Sequence, residues 1–379
     1  MVATRSLKRA ESARKLQSSE CMTGVLPAYV LILALTVIPH FVEIPVAAQL
    51  IPTSLVLLYV GCHISLRNLH RGGSEESQTI GTKDAYMVPV FGSMALLSLY
   101  AAYKFLPPYY LNLLVNGYFF LVGVISMSSS IKILVSTLLC QEKFNSLNAP
   151  IIQFRLPAIL AKLLCESNKK DDDLIQISKL DFPCAFLASI TAFWYMKTKN
   201  PMSNNLFGIA FTIQALSLIS VDSFMAGAAL LLGLFFYDIF FVFATDVMVT
   251  VATKFDAPIK LLFPRGLGQR PSMLGLGDIV IPGIFLSLML RLDHQIHCKS
   301  RQANTFSKPY FWSCMGGYLI GIAVTLYIMF AFEHAQPALL YLVPGCLLSV
   351  ITCGLVRREL MTLLKFKDNP EVEDRAHQD

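Results

Sequence analysis

The sequence predicts an all-α membrane protein, a polytopic bundle of nine or ten transmembrane helices, and two observations carry that expectation. The 379 residues are 55% hydrophobic and only 15% charged, with a mean hydropathy of +0.57, outside the range of soluble domains. Apolar windows close to the roughly 20 residues that a helix needs to cross hydrocarbon also recur along the chain. They fall at residues 24–44, 46–66, 85–106, 109–131, 182–196, 205–221, 224–247, 273–290, 309–332 and 337–356.

The first two windows are interrupted by Pro39, Glu43, Pro45 and Pro52, which suits either a tight hairpin or one span beside a surface segment. The next two follow closely, and a polar stretch, 132–181, then reads as a solvated loop. Within it, residues 157–165 are apolar with Arg155 and Lys162 to one side, compatible with a short interfacial helix. The chain thus divides into an N-terminal tail (1–20), a variable span or hairpin with its loop (21–84), a multi-span core (85–356) and a C-terminal tail (357–379).

Basic residues set the orientation. With ten spans, 24 of the 31 lysines and arginines fall on one side and 7 on the other, so the first side is cytosolic and includes the C-terminus. Topology then explains the net charge of +6, and no nucleic-acid partner is implied. The nine cysteines contain no C-x-x-C pair, which argues against a disulfide framework or a zinc site. No secretory signal peptide is expected, since residues 1–20 are basic and polar.

Acids inside spans are functional candidates because an ionised carboxylate there costs roughly 2.5 to 3.5 kcal/mol. Asp238 stands among Leu234, Phe235, Phe236, Tyr237, Ile239 and Phe240, and Asp278 follows Gly275-Leu276-Gly277. Their spans run antiparallel, with 14 residues from 224 to Asp238 and 13 from Asp278 to 291, so both lie about 20 Å from the cytosolic face at 1.5 Å per residue. Two such carboxylates share a proton, as like charges about 3 Å apart cannot both ionise. One would activate water while its protonated partner polarises a peptide carbonyl; which is base and which acid stays open. Gly275 and Gly277 would let backbone approach a substrate strand beside Asp278. Pro337, taken alone, reads as a first-turn helix residue.

Tyr237-Asp238, Gly275-Leu276-Gly277-Asp278 and Pro337-Ala338-Leu339, in this order on three late spans, resemble the presenilin-type intramembrane aspartyl proteases. Ser203-Asn204-Asn205-Leu206-Phe207-Gly208, Val247-Met248-Val249-Thr250-Val251-Ala252, Phe255-Asp256-Ala257-Pro258-Ile259-Lys260-Leu261 and the stretch 335–343 are similar to the signal peptide peptidase branch. The resemblance covers about residues 85–356. It implies a presenilin-like fold and an endoplasmic-reticulum enzyme that cuts signal-peptide remnants and other type II-oriented membrane helices. It also implies catalytic Asp238 and Asp278, and shaping of the site by Tyr237, Gly275, Leu276, Gly277, Pro337, Ala338 and Leu339. No cofactor beyond catalytic water and no metal is expected. The partners are transmembrane peptides and the bilayer, and a homo-oligomer is left open. The chain has no N-x-S/T sequon and no terminal dilysine signal.

A transporter relaying protons through the paired acids is the main alternative, although corresponding helix breaks in two halves are lacking. A silent scaffold that binds membrane helices is another. Neither G-x-S-x-G nor H-E-x-x-H occurs. Asp293, His294, His297 and Cys298 fall in the expected cytosolic loop 291–308 and are not read as a metal cluster.

Overall fold

A computed structural model describes residues 25–70, 78–139, 144, 146–155, 174–245, 257–265, 271–300, 306–332 and 336–368. The 157–165 segment and the 247–252 string lie outside them. The molecule is a helical bundle, and each of the ten apolar windows holds a helix. The helices are α1 (Val25–Val37), α2 (Val46–His70), α3 (Thr82–Phe105), α4 (Pro108–Leu138), α5 (Asp181–Thr198) and α6 (Pro201–Leu218). They continue with α7 (Phe224–Phe243), α8 (Gly277–Ser300), α9 (Pro309–Phe332), α10 (Leu339–Val356) and the short α11 (Leu360–Leu364). Seven of them, α2, α3, α4, α7, α8, α9 and α10, are long and apolar enough to cross a membrane.

The prolines near the N-terminus make a hairpin. α1 ends in a 3-10 turn, Ile38–His40, and the chain re-enters a helix at Val46, where Ala48 and Gln49 donate to the Pro45 carbonyl. Its 13 residues make α1 about 20 Å long, short of the roughly 30 Å hydrocarbon thickness.

α8 is the most buried of the seven and forms the axis of the core, with Phe285, Leu286, Leu288, Met289 and Leu290 all within 1% of full burial. α2, α9 and α7 pack around it, while α3 lies outermost.

Among the described residues three short strand pairs accompany the helices. β1 (Gln78–Ile80) and β4 (Ile219–Val221) pair in parallel, which ends the 205–221 window as strand rather than helix. β2 (Pro150–Arg155) and β3 (Leu174–Ser178) are antiparallel in the long loop. β5 (Lys260–Phe263) and β6 (Ser272–Gly275) form an antiparallel pair, with Lys260 opposite Gly275.

Boundaries also differ from the sequence reading, and α4 runs to Leu138, seven residues into the stretch expected as loop. The 273–290 span begins as β6 and becomes helix only at Gly277, then runs to Ser300, so residues 291–300 are helix and not loop. Residues 357–368 do not trail away. After the left-handed residue Arg358 (φ 57°), α11 turns back and buries Leu363 and Phe366 against the bundle.

That returning segment sets a common level for two helices. Asp368 N–H donates to the Asp222 carbonyl at 2.6 Å, just before α7. The Asp368 carboxylate meanwhile takes Arg291 of α8 at 2.8 Å, and Arg291 also donates to Ser65 of α2 at 2.7 Å. Arg291 is 5% exposed, and its two Nη groups are paired by protein where it enters the core, while its Nε has no hydrogen-bond partner among the described residues.

Candidate active site

α7 positions Asp238. Its start is capped by Ser223, whose hydroxyl accepts from Ala226 N–H. Asp238 follows 14 residues after Phe224 and is 7% exposed. Its Oδ2 accepts a hydrogen bond from Leu339 N–H at 3.1 Å. Leu339 is the first residue of α10, and the leading amides of a helix have no partner within it. Here one of them is spent on a carboxylate, an interaction that the helix dipole reinforces. Pro337 is buried and lies two residues before Leu339, ahead of the N-cap Ala338 and not in the first turn of the helix.

Asp278 is the second residue of α8 and reaches its place through the β5–β6 hairpin. Leu276 N–H donates to the Ile259 carbonyl at 3.0 Å, and the Leu276 carbonyl receives Val280 N–H at 2.8 Å, so strand passes into helix at this residue. Gly275 is needed there: a Cβ on it would stand 3.2 Å from Asp278 Oδ2 and crowd the carboxylate. At Gly277 a Cβ would meet only Ile281 at 3.8 Å, so the crowding within the chain is at Gly275 and not at Gly277.

The hairpin itself is anchored by α6. Asn205 behaves as a strand partner: its Oδ1 accepts from Leu262 N–H at 2.7 Å and its Nδ2 donates to the Leu262 carbonyl at 2.8 Å. Asn204 Nδ2 donates to the Lys260 carbonyl at 2.6 Å. Gly208 lets α6 approach closely, because a Cβ would lie 2.6 Å from Leu261. Sequence reading placed these residues in a resembling string without assigning them a task. Their signal was polar side chains inside an apolar window.

The two carboxylates lie within electrostatic reach of one another. They also sit at one depth. Counted from the level tied together by Asp368, Asp278 is 13 residues from Arg291 and Asp238 is 14 from Phe224, about 20 Å each. α10 contacts both α7 and α8, and its first residue, Leu339, reaches Asp238. The Tyr237 ring packs on Phe241 at 4.8 Å and faces Gly92 of α3.

Of Asp293, His294, His297 and Cys298, the first has a structural task. Asp293 lies within α8 and accepts the N–H groups of Tyr310 (3.2 Å) and Phe311 (2.8 Å), capping the start of α9 from a distance. Among the described residues no group of three His, Cys, Asp or Glu is placed to hold a metal ion.

Paired acids on separate helices inside an apolar bundle are the arrangement of an intramembrane aspartic protease. Comparison with known proteins agrees. The family model described as signal peptide peptidase matches residues 72–370. Signal peptide peptidase of Mus musculus is 37% identical over 331 residues, covering 85% of this chain and 83% of that protein. The Homo sapiens protein of the same name is 36% identical, covering 85% and 84%. A probable intramembrane protease of Schizosaccharomyces pombe is 32% identical over 322 residues, covering 85% of this chain and 94% of that one. The chain belongs to the signal peptide peptidase family. It is a multi-pass membrane protein and a hydrolase of the intramembrane aspartic type. Nothing in these relatives favours a transporter or a silent scaffold.

Proposed function

We propose that Asp238 and Asp278 are the catalytic pair, and that the enzyme cuts peptide bonds within type II-oriented membrane helices, notably signal-peptide remnants, in the endoplasmic reticulum membrane. The observation that carries this reading is the convergence of both acids with Leu339 N–H at the junction of α7, α8 and α10.

In the reaction one carboxylate accepts a proton from water as the water oxygen attacks the carbonyl carbon. The protonated partner passes its proton to the carbonyl oxygen, and a tetrahedral diol forms. The carbon–nitrogen bond then breaks as the acid that took the water proton gives it to the leaving amine and its partner takes a proton from a diol hydroxyl, so the pair returns to its singly protonated state. Leu339 N–H keeps the Asp238 carboxylate turned toward the shared centre. No cofactor takes part beyond the water.

A helical substrate bond is shielded, so the substrate must be extended when it is cut. Among the described residues β6 pairs on one side only, with β5, and its last residue, Gly275, stands beside Asp278. An unwound substrate segment lying there presents its carbonyl to the acids. Tyr237 contributes from the α3 side, and Leu276, Gly277, Pro337 and Ala338 shape the site. The excess of basic residues on one side supports a cytosolic C-terminus, and with it the type II preference. The names of the relatives support the endoplasmic-reticulum location and the signal-peptide substrates.

The test uses the full chain in liposomes with a signal-peptide helix, its cleavage products identified by mass. Cleavage within the apolar stretch, blocked by a hydroxyl-containing mimic of the diol, is expected. An intact peptide, or a cut outside the apolar stretch, contradicts the reading.

A further inference from the structure

The segment that follows α10 does more than cover one end of the bundle. It leaves α10 at Gly354, whose carbonyl receives Glu359 N–H at 2.9 Å, and a Cβ on Gly354 would stand 3.3 Å from Leu363. Glu359 Oε2 accepts from the Tyr310 hydroxyl of α9 at 3.1 Å. The chain then runs along the entrance of α7. Phe224 N–H donates to the Phe366 carbonyl at 3.3 Å, Ser223 faces Lys367 as an antiparallel bridge, and Asp368 N–H donates to the Asp222 carbonyl at 2.6 Å. At α8 the Asp368 carboxylate takes Arg291 at 2.8 Å. Residues 359–368 thus act as a strap across the neighbouring ends of four helices, and three of these, α7, α8 and α10, carry Asp238, Asp278 and Leu339.

A shared proton demands that α7 and α8 keep their axial register. Near their strapped ends the two helices pack through Gly227, where a Cβ would lie 2.9 Å from Phe285, and through the Phe224 and Phe285 rings at 5.8 Å. Such apolar contact is non-directional and holds helices together more firmly than it stops them sliding. An ion pair and a backbone bond fix positions along the axis. The Arg291 and Asp368 side chains are only 5% and 16% exposed, and a pair buried to that degree is a poor source of stability, because desolvation offsets its attraction. Setting register is the best-attested use of buried polar groups.

We propose that Asp368 is a positioning residue of the catalytic pair. By holding Arg291 through its carboxylate and Asp222 through its N–H, it sets α7 against α8 and so aligns Asp238 with Asp278. It touches no substrate and acts from about 20 Å away, through the length of both helices. The inference rests on the assignment of Asp238 and Asp278 to the catalytic pair.

The experiment compares Asp368→Ala, and Arg291→Met combined with Asp368→Leu, with wild type. Full chains in liposomes give kcat, KM and the Ki of a hydroxyl-containing mimic of the diol, and a melt in detergent gives the thermal midpoint. Asp368→Ala is expected to lower both the midpoint and kcat. The double variant regains the midpoint, since no buried charge is left unpaired, yet stays about tenfold slow, because apolar side chains fill the space without fixing the register. Its KM stays within about twofold, while the mimic, which engages both acids at once, binds about tenfold more weakly. Three results overturn the inference: a double variant with kcat within about twofold of wild type, a rise in KM at constant kcat, or an unchanged Ki beside a fallen kcat. If the double variant melts below the assay temperature, Asp368→Ala decides, assayed below its own midpoint. Slow turnover at unchanged KM then supports the inference, and wild-type turnover overturns it. Asp278→Ala separates the two levels. If it remains active, the catalytic assignment itself fails; if it is inactive while the double variant matches wild type, only the present inference fails.

Discussion

Replacing Gly317 by alanine sets a methyl group against the backbone of the helix that carries Leu339. A Cβ at this position would run into the Gly345 carbonyl oxygen and would stand 2.5 Å from Ser349 Oγ and 2.8 Å from the Gly345 carbonyl carbon. Ordinary van der Waals contact begins near 3.4 Å, so α9 and α10 must part by about 1 Å, and overpacking of this kind typically costs about 1–3 kcal/mol. Parting moves Leu339 as well. Its N–H reaches Asp238 Oδ2 at 3.1 Å, and a shift of that size carries the pair out of hydrogen-bond range. Misplacement by about 1 Å costs up to about 100-fold in rate, or about 2.7 kcal/mol of barrier. Gly316 is the control, because a Cβ there meets nothing within 4 Å. The assay is kcat and KM for peptide cleavage in liposomes, with a thermal melt in detergent. Gly317→Ala is expected to lose about two orders of magnitude in kcat while Gly316→Ala stays near wild type. Equal activity in the two variants refutes the argument that α10 sets the geometry of Asp238.

Asn205→Ala removes both bonds to Leu262 and leaves buried strand groups unpaired, so a loss of about 1–3 kcal/mol in stability is expected, measured by melting, with a lower kcat as the hairpin before Asp278 loosens. Gly275→Ala places a methyl 3.2 Å from Asp278 Oδ2 and is expected to cut kcat at least about tenfold with little change in the melt, since the neighbour that must yield is a reacting group. Arg291→Met strands the Asp368 carboxylate and is expected to cost about 3–5 kcal/mol, while Arg291→Met with Asp368→Leu recovers most of it, both read by denaturation in detergent.

The acids were legible in the sequence because an ionisable group in an apolar window has no neutral explanation, and Asp238 and Asp278 each stood in one. The edges of their helices were less so. Ser272–Gly275 is short and half apolar, and such a run looks alike as strand or helix until a partner strand is known. Residues 291–300 resembled a loop because they are polar, yet Arg291 and Asp293 are buried by Asp368 and by the start of α9, which lie 77 and 17 residues away. Asn204 and Asn205 were hidden for the same reason: their partners lie 56 and 57 residues on. Leu339 matters through its backbone N–H, which no side-chain pattern reports. The returning segment 360–368 passed for a tail because its apolar residues are few, though Leu363 and Phe366 are enough to seat it.

The most direct measurement is cleavage of a pre-liberated type II signal peptide by the purified chain, set beside Asp238→Ala and Asp278→Ala made separately and shown by their melts to be folded. The catalytic pair predicts that wild type cuts within the apolar stretch and that each variant alone is inactive. Cleavage that survives either substitution contradicts it.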